Sequence, residues 1–257
     1  MNIWGKLLGG AAGFAIGGPI GALLGAVAGH AVDRLAEPES APGNGAGPGT
    51  AMPGSEERAA TRQIAFTIGI IVLGAKMAKT DGVVSRSEIV AFKQVFKIPP
   101  EEEQNVGRIF DQARRDAHGF EPYARQIARM FSRKSRVLEE LIDGLFHIAK
   151  ADGRVSSQEL DFLREVARIF GFEEADFARI RESHLGSDAG DPYNLLGVTR
   201  AMDNAAIKSA YRKLARDTHP DKLMAKGLPP EFLAMANQRL ATINAAYERI
   251  RKERKIS

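Results

Sequence analysis

The stretch DNAAIKSAYRKLARDTHPD, residues 203–221, decides the reading of this chain. Ile207, Ala210, Tyr211 and Leu214 recur at helical spacing on one face. Lys208, Arg212 and Arg216 lie four apart on another, with Lys213 beside them. One stripe therefore packs inward and the other forms a basic ridge. Asp203 stands where a helix needs its N-cap, and Pro220 ends the helix and holds His219 extended. Upstream, DPYNLLGV (191–198) supplies Tyr193, Leu195, Leu196 and Val198 as a short apolar turn of helix, stopped by Gly197. Downstream, DKLMAKGLPP (221–230) reads as a loop. Pro230 and Glu231 then open a third helix with the apolar stripe Phe232, Ala236, Leu240, Ile243 and Tyr247. Two antiparallel helices joined by a loop that begins with His219-Pro220-Asp221 make an α-hairpin, with Tyr211 and Tyr247 meeting in its core.

Each of these residues also has a purely structural use. His-Pro is a common helix stop, Asp can cap, and lysines are usually solvated. Their joint occurrence is what carries information: DPYNLLGV, AAIKSAYRKLARDTHPD and INAAYERI in this order and at these separations resemble a J-domain. In that family the His-Pro-Asp loop and the basic second helix engage the DnaK class of ATP-driven chaperone and stimulate its ATP hydrolysis. The resemblance implies that His219, Pro220 and Asp221 carry stimulation. It also implies that Lys208, Arg212, Lys213, Arg216 and Lys222 dock on an acidic surface. A charged ridge steers encounter, and an acceptor-only Asp on a fixed loop can compete for the partner's internal hydrogen bonds.

The charge distribution agrees. The chain has 257 residues and a formal charge of +4. Residues 56–185 hold 21 basic and 21 acidic side chains, whereas residues 191–257 hold 13 basic and 7 acidic. The basic character belongs to the last module and points to an acidic partner there. No cysteine is present, so disulfides, thiolate metal sites and cysteine nucleophiles are excluded.

Residues 56–185 have helical periodicity almost throughout, with helices expected near 57–79, 86–97, 100–117, 121–132, 134–150, 157–171 and 174–184. An internal repeat is present: AKTDGVVSRSE (78–88) and AKADGRVSSQE (149–159) match at seven of eleven positions. In each copy Asp-Gly turns the chain, a Val (Val84, Val155) plugs inward, and Ser85 with Glu88, or Ser156 with Glu159, has capping-box spacing. Asp81, Glu88, Asp152 and Glu159 are also the candidates for a shared hard-cation site, although turn and cap roles explain all four and no metal is expected. The two copies resemble the TerB-like helical domain, which implies a fold more than an activity.

Leu7–Val32 is 26 residues without a formal charge, ~39 Å as a helix against ~30 Å for a bilayer core. Gly9, Gly13, Gly17, Gly21, Gly25 and Gly29 recur at every fourth position and make one stripe without side chains, suited to close helix–helix approach and dimerisation. Three arrangements fit: a self-associating membrane anchor, a cleaved signal peptide with Ala26-Val27-Ala28 as its site, and a hairpin turning at Gly17-Gly18-Pro19. Residues 37–55 are rich in Pro, Gly, Ala and Ser and read as a tether. A tether between anchor and body favours the first arrangement.

The whole order resembles the DjlA-like, membrane-anchored members of the DnaJ family, with MNIWGK at the start and HPDKLMAKGLPPE in the loop. The expectation is an all-α chain in four parts. Residues 1–35 form a glycine-rich transmembrane anchor, 36–55 a flexible linker, 56–185 a TerB-like bundle with an internal pseudo-repeat, and 191–257 a J-domain hairpin. The resemblance implies a co-chaperone tethered at the inner membrane of a bacterium, C-terminal domains in the cytoplasm, that binds and stimulates a DnaK-class chaperone. A basic nucleic-acid-binding protein is the alternative from another class, yet no aromatic residues interleave with the basic ones and no groove-reading motif is present. A membrane stress-sensing scaffold is a further alternative. No nucleophile–base pair, phosphate loop or metal-ligand cluster marks an enzyme, and no cofactor is expected.

Overall fold

The structure is a computed structural model. It describes residues 17–24, 55–79, 89–90, 92–93, 98, 100–116, 119–151, 153–185 and 190–256. No strand occurs among them. The middle domain is built on α1 (Ser55–Met77), whose second half is apolar on every side. A helix hydrophobic all round must be enclosed, and Phe66, Ile68, Ile70, Ile71, Val72, Leu73 and Met77 are fully buried. Ala59–Met77 is long and apolar enough to cross a membrane. Here it is instead the axis of a bundle, packed by α2 (Glu103–Arg115), α3 (Glu121–Met130) and α4 (Arg136–Ala149). Close approach depends on absent side chains. A Cβ on Gly69 would lie 2.6 Å from Ile127 Cδ1, and one on Gly144 would lie 2.5 Å from Ile70 Cδ1. The buried Lys76 is accommodated by Asp116, which it meets at 3.1 Å and to which Tyr123 donates at 2.8 Å.

α5 (Ser157–Ile169) and α6 (Glu174–Leu185) close the other side of α4. α5 starts on the expected capping box: Ser156 Oγ accepts from Glu159 N at 3.2 Å, and Glu159 Oε2 accepts from Ser156 N at 2.8 Å. Residues 80–88 of the other copy, with Ser85 and Glu88, lie outside the described residues, as does the 86–97 helix except for 89–90 and 92–93, which are helical. The remaining expected helices of the domain form within a few residues of their expected ends.

Residues 191–254 form the hairpin: α7 (Pro192–Leu196), α8 (Asn204–Asp217), α9 (Pro220–Ala225) and α10 (Leu233–Arg254). Gly197 stops α7 in the left-handed region at φ 66°. Asp203 caps α8, accepting from Ala206 N at 2.6 Å. Tyr211 and Tyr247 stack with ring centroids 4.0 Å apart. The open end of the hairpin is tied by Arg254, which donates to Tyr193 Oη (3.0 Å), to Met202 O (2.7 Å) and to Asn204 Oδ1 (3.0 Å).

The hairpin is not a separate body. Its own core comprises Tyr193, Leu196, Val198, Ile207, Leu214, Ile243, Ala246, Tyr247 and Ile250. Leu223, Leu228, Phe232 and Ala236, at its tip, belong to the core of the middle domain. Phe232 meets Phe66 edge-on with centroids 4.8 Å apart. Gly227, at φ 105°, brings its backbone so near α1 that a Cβ would lie 2.6 Å from Arg62 Cβ.

At the N-terminal side, residues 18–24 are helical, and Ile20, Leu23 and Leu24 are buried in the same core. Gln126 holds the segment, accepting from Ile20 N at 2.9 Å and donating to Gly17 O at 2.8 Å. Gly17 and Gly18 have φ of 56° and 59°, a left-handed pair at the point read as a turn. Gly9, Gly13, Gly25 and Gly29 lie outside the described residues.

Candidate functional site

α8 carries the ridge and α9 the tripeptide. The helical hydrogen bonds of α8 end at Thr218, whose N–H donates to Leu214 O at 2.9 Å. His219 is extended (φ −60°, ψ 130°), as the proline after it requires. The segment after His219 is helical rather than the irregular loop expected from the sequence. Pro220 has its φ pre-set for the first position of a helix. His219 Nδ1 accepts from Asp221 N at 3.3 Å, and His219 O accepts from Leu223 N at 3.0 Å. His219 therefore caps a short second helix, and the tripeptide sits on a corner between two helices. With Nδ1 accepting, the neutral ring carries its proton on Nε2, free to donate. The His219 side chain is 54% exposed and that of Asp221 is 90% exposed.

On the ridge, Arg212, Lys213 and Arg216 are exposed and Lys208 is half-buried. Among the described residues, none pairs with Arg212, Lys213 or Arg216. Lys222 differs from them: its Nζ lies 2.6 Å from Asp217 Oδ1, across the α8–α9 corner. That hydrogen bond holds the Asp217 carboxyl below its usual range. Lys222 therefore braces the corner as well as adding to its charge.

Of the cation candidates, Glu159 is occupied by its capping box, and Asp81, Glu88 and Asp152 lie outside the described residues. Among the described residues, no group of three or more His, Asp or Glu side chains is arranged to hold a metal ion.

Sequence reasoning missed a second charged feature. On α4, Glu139, Glu140 and Asp143 are buried, although they belong to a helix with an apolar face toward α1. Arg239 of α10 enters among them, contacting Glu139 Oε1 and Asp143 Oδ2 closely and Glu140 Oε1 at 3.6 Å. Arg179 meets Glu139 Oε1 at 2.6 Å, Arg136 also contacts Glu139, and His184 Nε2 lies 2.7 Å from Asp143 Oδ1. Burial opposes ionisation of Glu139, but Arg239, Arg179 and Arg136 outweigh it and hold that carboxyl well below its ordinary range. Glu140 goes the other way. Burial, with the Glu139 charge adding to it, exceeds the attraction of Arg239 and Arg136 and pushes it up to about 7. Burial, and then Lys150, take His184 down to about 4, so at neutral pH its contact with Asp143 is a hydrogen bond rather than an ion pair. The only hint in the sequence is the pair of Glu and an Asp within 137–149, a stretch otherwise apolar but for His147.

A basic helix and its antiparallel partner, joined at a rigid, exposed His-Pro-Asp corner, define a J-domain protein, here with a second helical domain before it. Comparison with known families agrees along the chain. Residues 191–257 match the DnaJ domain, residues 67–182 the tellurite resistance protein TerB, and residues 1–57 the co-chaperone DjlA transmembrane domain. The chain is 32% identical to the co-chaperone protein DjlA of Photobacterium profundum, over 98% of this chain and 99% of that one. It is 31% identical to the DjlA of Vibrio cholerae over 100% of both. Against that of Yersinia pestis it is 44% identical over 33% of this chain and 29% of the relative. No solved structure matches it. The chain belongs to the DjlA family of J-domain co-chaperones.

Proposed function

We propose that this co-chaperone binds a DnaK-class chaperone through its α8 ridge and stimulates ATP hydrolysis through the His219-Pro220-Asp221 corner. One observation carries the reading: two exposed side chains, a ring N–H donor and an acceptor-only carboxylate, stand on a corner beside three cations that have no partner among the described residues. Lys208, Arg212, Lys213 and Arg216 supply attraction to an acidic surface, and Lys222 fixes the corner. Stimulation then follows if His219 and Asp221 make contacts that favour one state of the partner over the other. The chain itself performs no chemistry.

The N-terminal segment anchors the protein at the inner membrane of a bacterium, with residues 17–24 leaving the middle-domain core in which Ile20, Leu23 and Leu24 are buried here, and the C-terminal domains lie in the cytoplasm, where ATP and the partner are. The match of residues 1–57 to a transmembrane domain supports the anchor, and the orientation rests on where ATP and a DnaK-class partner are found. The test is steady-state DnaK ATPase with the fragment 56–257. The wild-type fragment stimulates and His219→Gln does not; absence of stimulation, or equal stimulation by the variant, removes the proposal.

A further inference from the structure

We infer that the TerB domain positions the His-Pro-Asp corner, with Arg239 as the positioning residue, so that the two domains act on the partner as one body. This rests on the DnaK reading of the ridge and corner. Pro220 and Asp221 are the first two residues of α9, and the remainder of α9 and the segment after it are anchored outside the J-domain. Leu223, Leu228 and Phe232 are fully or almost fully buried in the core that α1 and α4 provide. Gly227 and Phe232 contact α1 through Arg62 and Phe66. In a free hairpin the tip around residues 227–232 would face solvent, but Gly227, Leu228 and Pro229 are buried here and α10 starts against the other domain.

Arg239 completes the attachment, two turns into α10. It is the J-domain's contribution to a cluster whose other members all come from the TerB domain: Glu139, Glu140 and Asp143, with Arg136, Arg179 and His184 around them. Glu139 and Asp143 are the carboxylates that Arg239 contacts most closely. A buried carboxylate group of this kind is costly when one partner leaves, so the cluster favours the attached geometry over any in which α10 turns away.

Attachment leaves the working face open. His219, Asp221, Arg212, Lys213 and Arg216 remain exposed while the opposite side of the tip is buried. The TerB domain therefore holds the corner without covering it. A released tip would sample many orientations, and the apparent affinity for the partner falls by the fraction of competent ones. The rate reached at saturation, set by the corner itself, does not.

The test uses the full chain in lipid nanodiscs, with DnaK ATPase titrated against it and amide exchange followed over residues 219–232. In Arg239→Ala, exchange protection at Leu223, Leu228 and Phe232 falls, the half-saturating concentration rises about tenfold, and the maximal stimulated rate is retained. Arg239→Lys stays within about twofold of wild type because the charge is kept. His219→Gln removes the maximal rate with the tip still protected. Should Arg239→Ala lose protection throughout the TerB domain, Arg239→Gln with Glu140→Gln, which keeps the local charge balanced, carries the same comparison. A tip that stays protected without Arg239 overturns the inference. So does a released tip with an unchanged half-saturating concentration, and so does a lowered one, which would mean that the TerB domain covers the site. A wild-type chain without stimulation overturns the DnaK reading instead, and the exchange pattern tells the two failures apart.

Discussion

Replacing Glu140 with glutamine should stabilise this protein at alkaline pH and do little at acidic pH. Glu140 is buried in α4, and its Oε1 accepts no hydrogen bond from the described residues. Its ionisation is pushed from an ordinary value of 4.5 to about 7, by burial first and by Glu139 in addition, against Arg239 and Arg136. A carboxyl raised in the folded state binds its proton more tightly there than in the unfolded chain. Its contribution to stability is therefore complete below pH ~4.5, declines as pH rises, and is lost above pH ~7. At about 1.4 kcal/mol per unit, the loss amounts to roughly 3 kcal/mol. His184 titrates in the opposite sense. Its folded value is lowered to about 4, so it adds stability as pH rises toward its ordinary value, and the wild-type curve alone would mix the two. The quantity to measure is the difference between Glu140→Gln and wild type, from urea unfolding of fragment 56–257 followed by helical circular dichroism at about pH 5 and about pH 8. The variant should match wild type at the lower pH within roughly 1 kcal/mol and exceed it by about 2–3 kcal/mol at the higher one. A variant less stable than wild type at pH ~8 would refute the reasoning, because Glu140 would then be a net favourable partner of Arg239 in its charged form.

Gly227→Ala tests the tip. The residue has φ 105° and a Cβ there would lie 2.6 Å from Arg62 Cβ, so strain and overlap together should cost about 1–3 kcal/mol of unfolding free energy; a neutral result in urea would mean that the tip can move away from α1. Reversing the ridge with Arg212→Glu and Arg216→Glu should raise the half-saturating concentration for DnaK by about tenfold or more, and should flatten its dependence on ionic strength, since exposed charges at this range are screened by salt. An unchanged salt dependence would remove the ridge from the docking surface.

Features set by neighbours along the chain are legible in the sequence. The Asp203 and Ser156 caps need only a side-chain oxygen and an N–H two or three residues on, and Gly197 needs only its own φ. Tyr211 and Tyr247 can be placed together because each lies on the apolar stripe of one of two antiparallel helices. The destination of a stripe is a different matter. Periodicity says that Phe232 and Ala236 face a core, and it does not say whose. Helix α9 is only six residues long, too short for a 3.6-residue period to register, so its sequence reads as loop. Arg239 and Arg254 have the look of solvated charges on a basic helix. Their partners, Glu139 for one and the Met202 and Asn204 end of the α7–α8 turn for the other, stand 100 and about 50 residues away in sequence, beyond any local pattern.

The meeting of Phe232 with Phe66 also sets an order of assembly. The core helix α1 is made long before the residue that packs edge-on against its middle. Domains fold in the order of their synthesis, so the growing chain carries an open apolar socket at Phe66 until its own C-terminal segment arrives. A chain interrupted between α6 and α10 keeps that socket exposed.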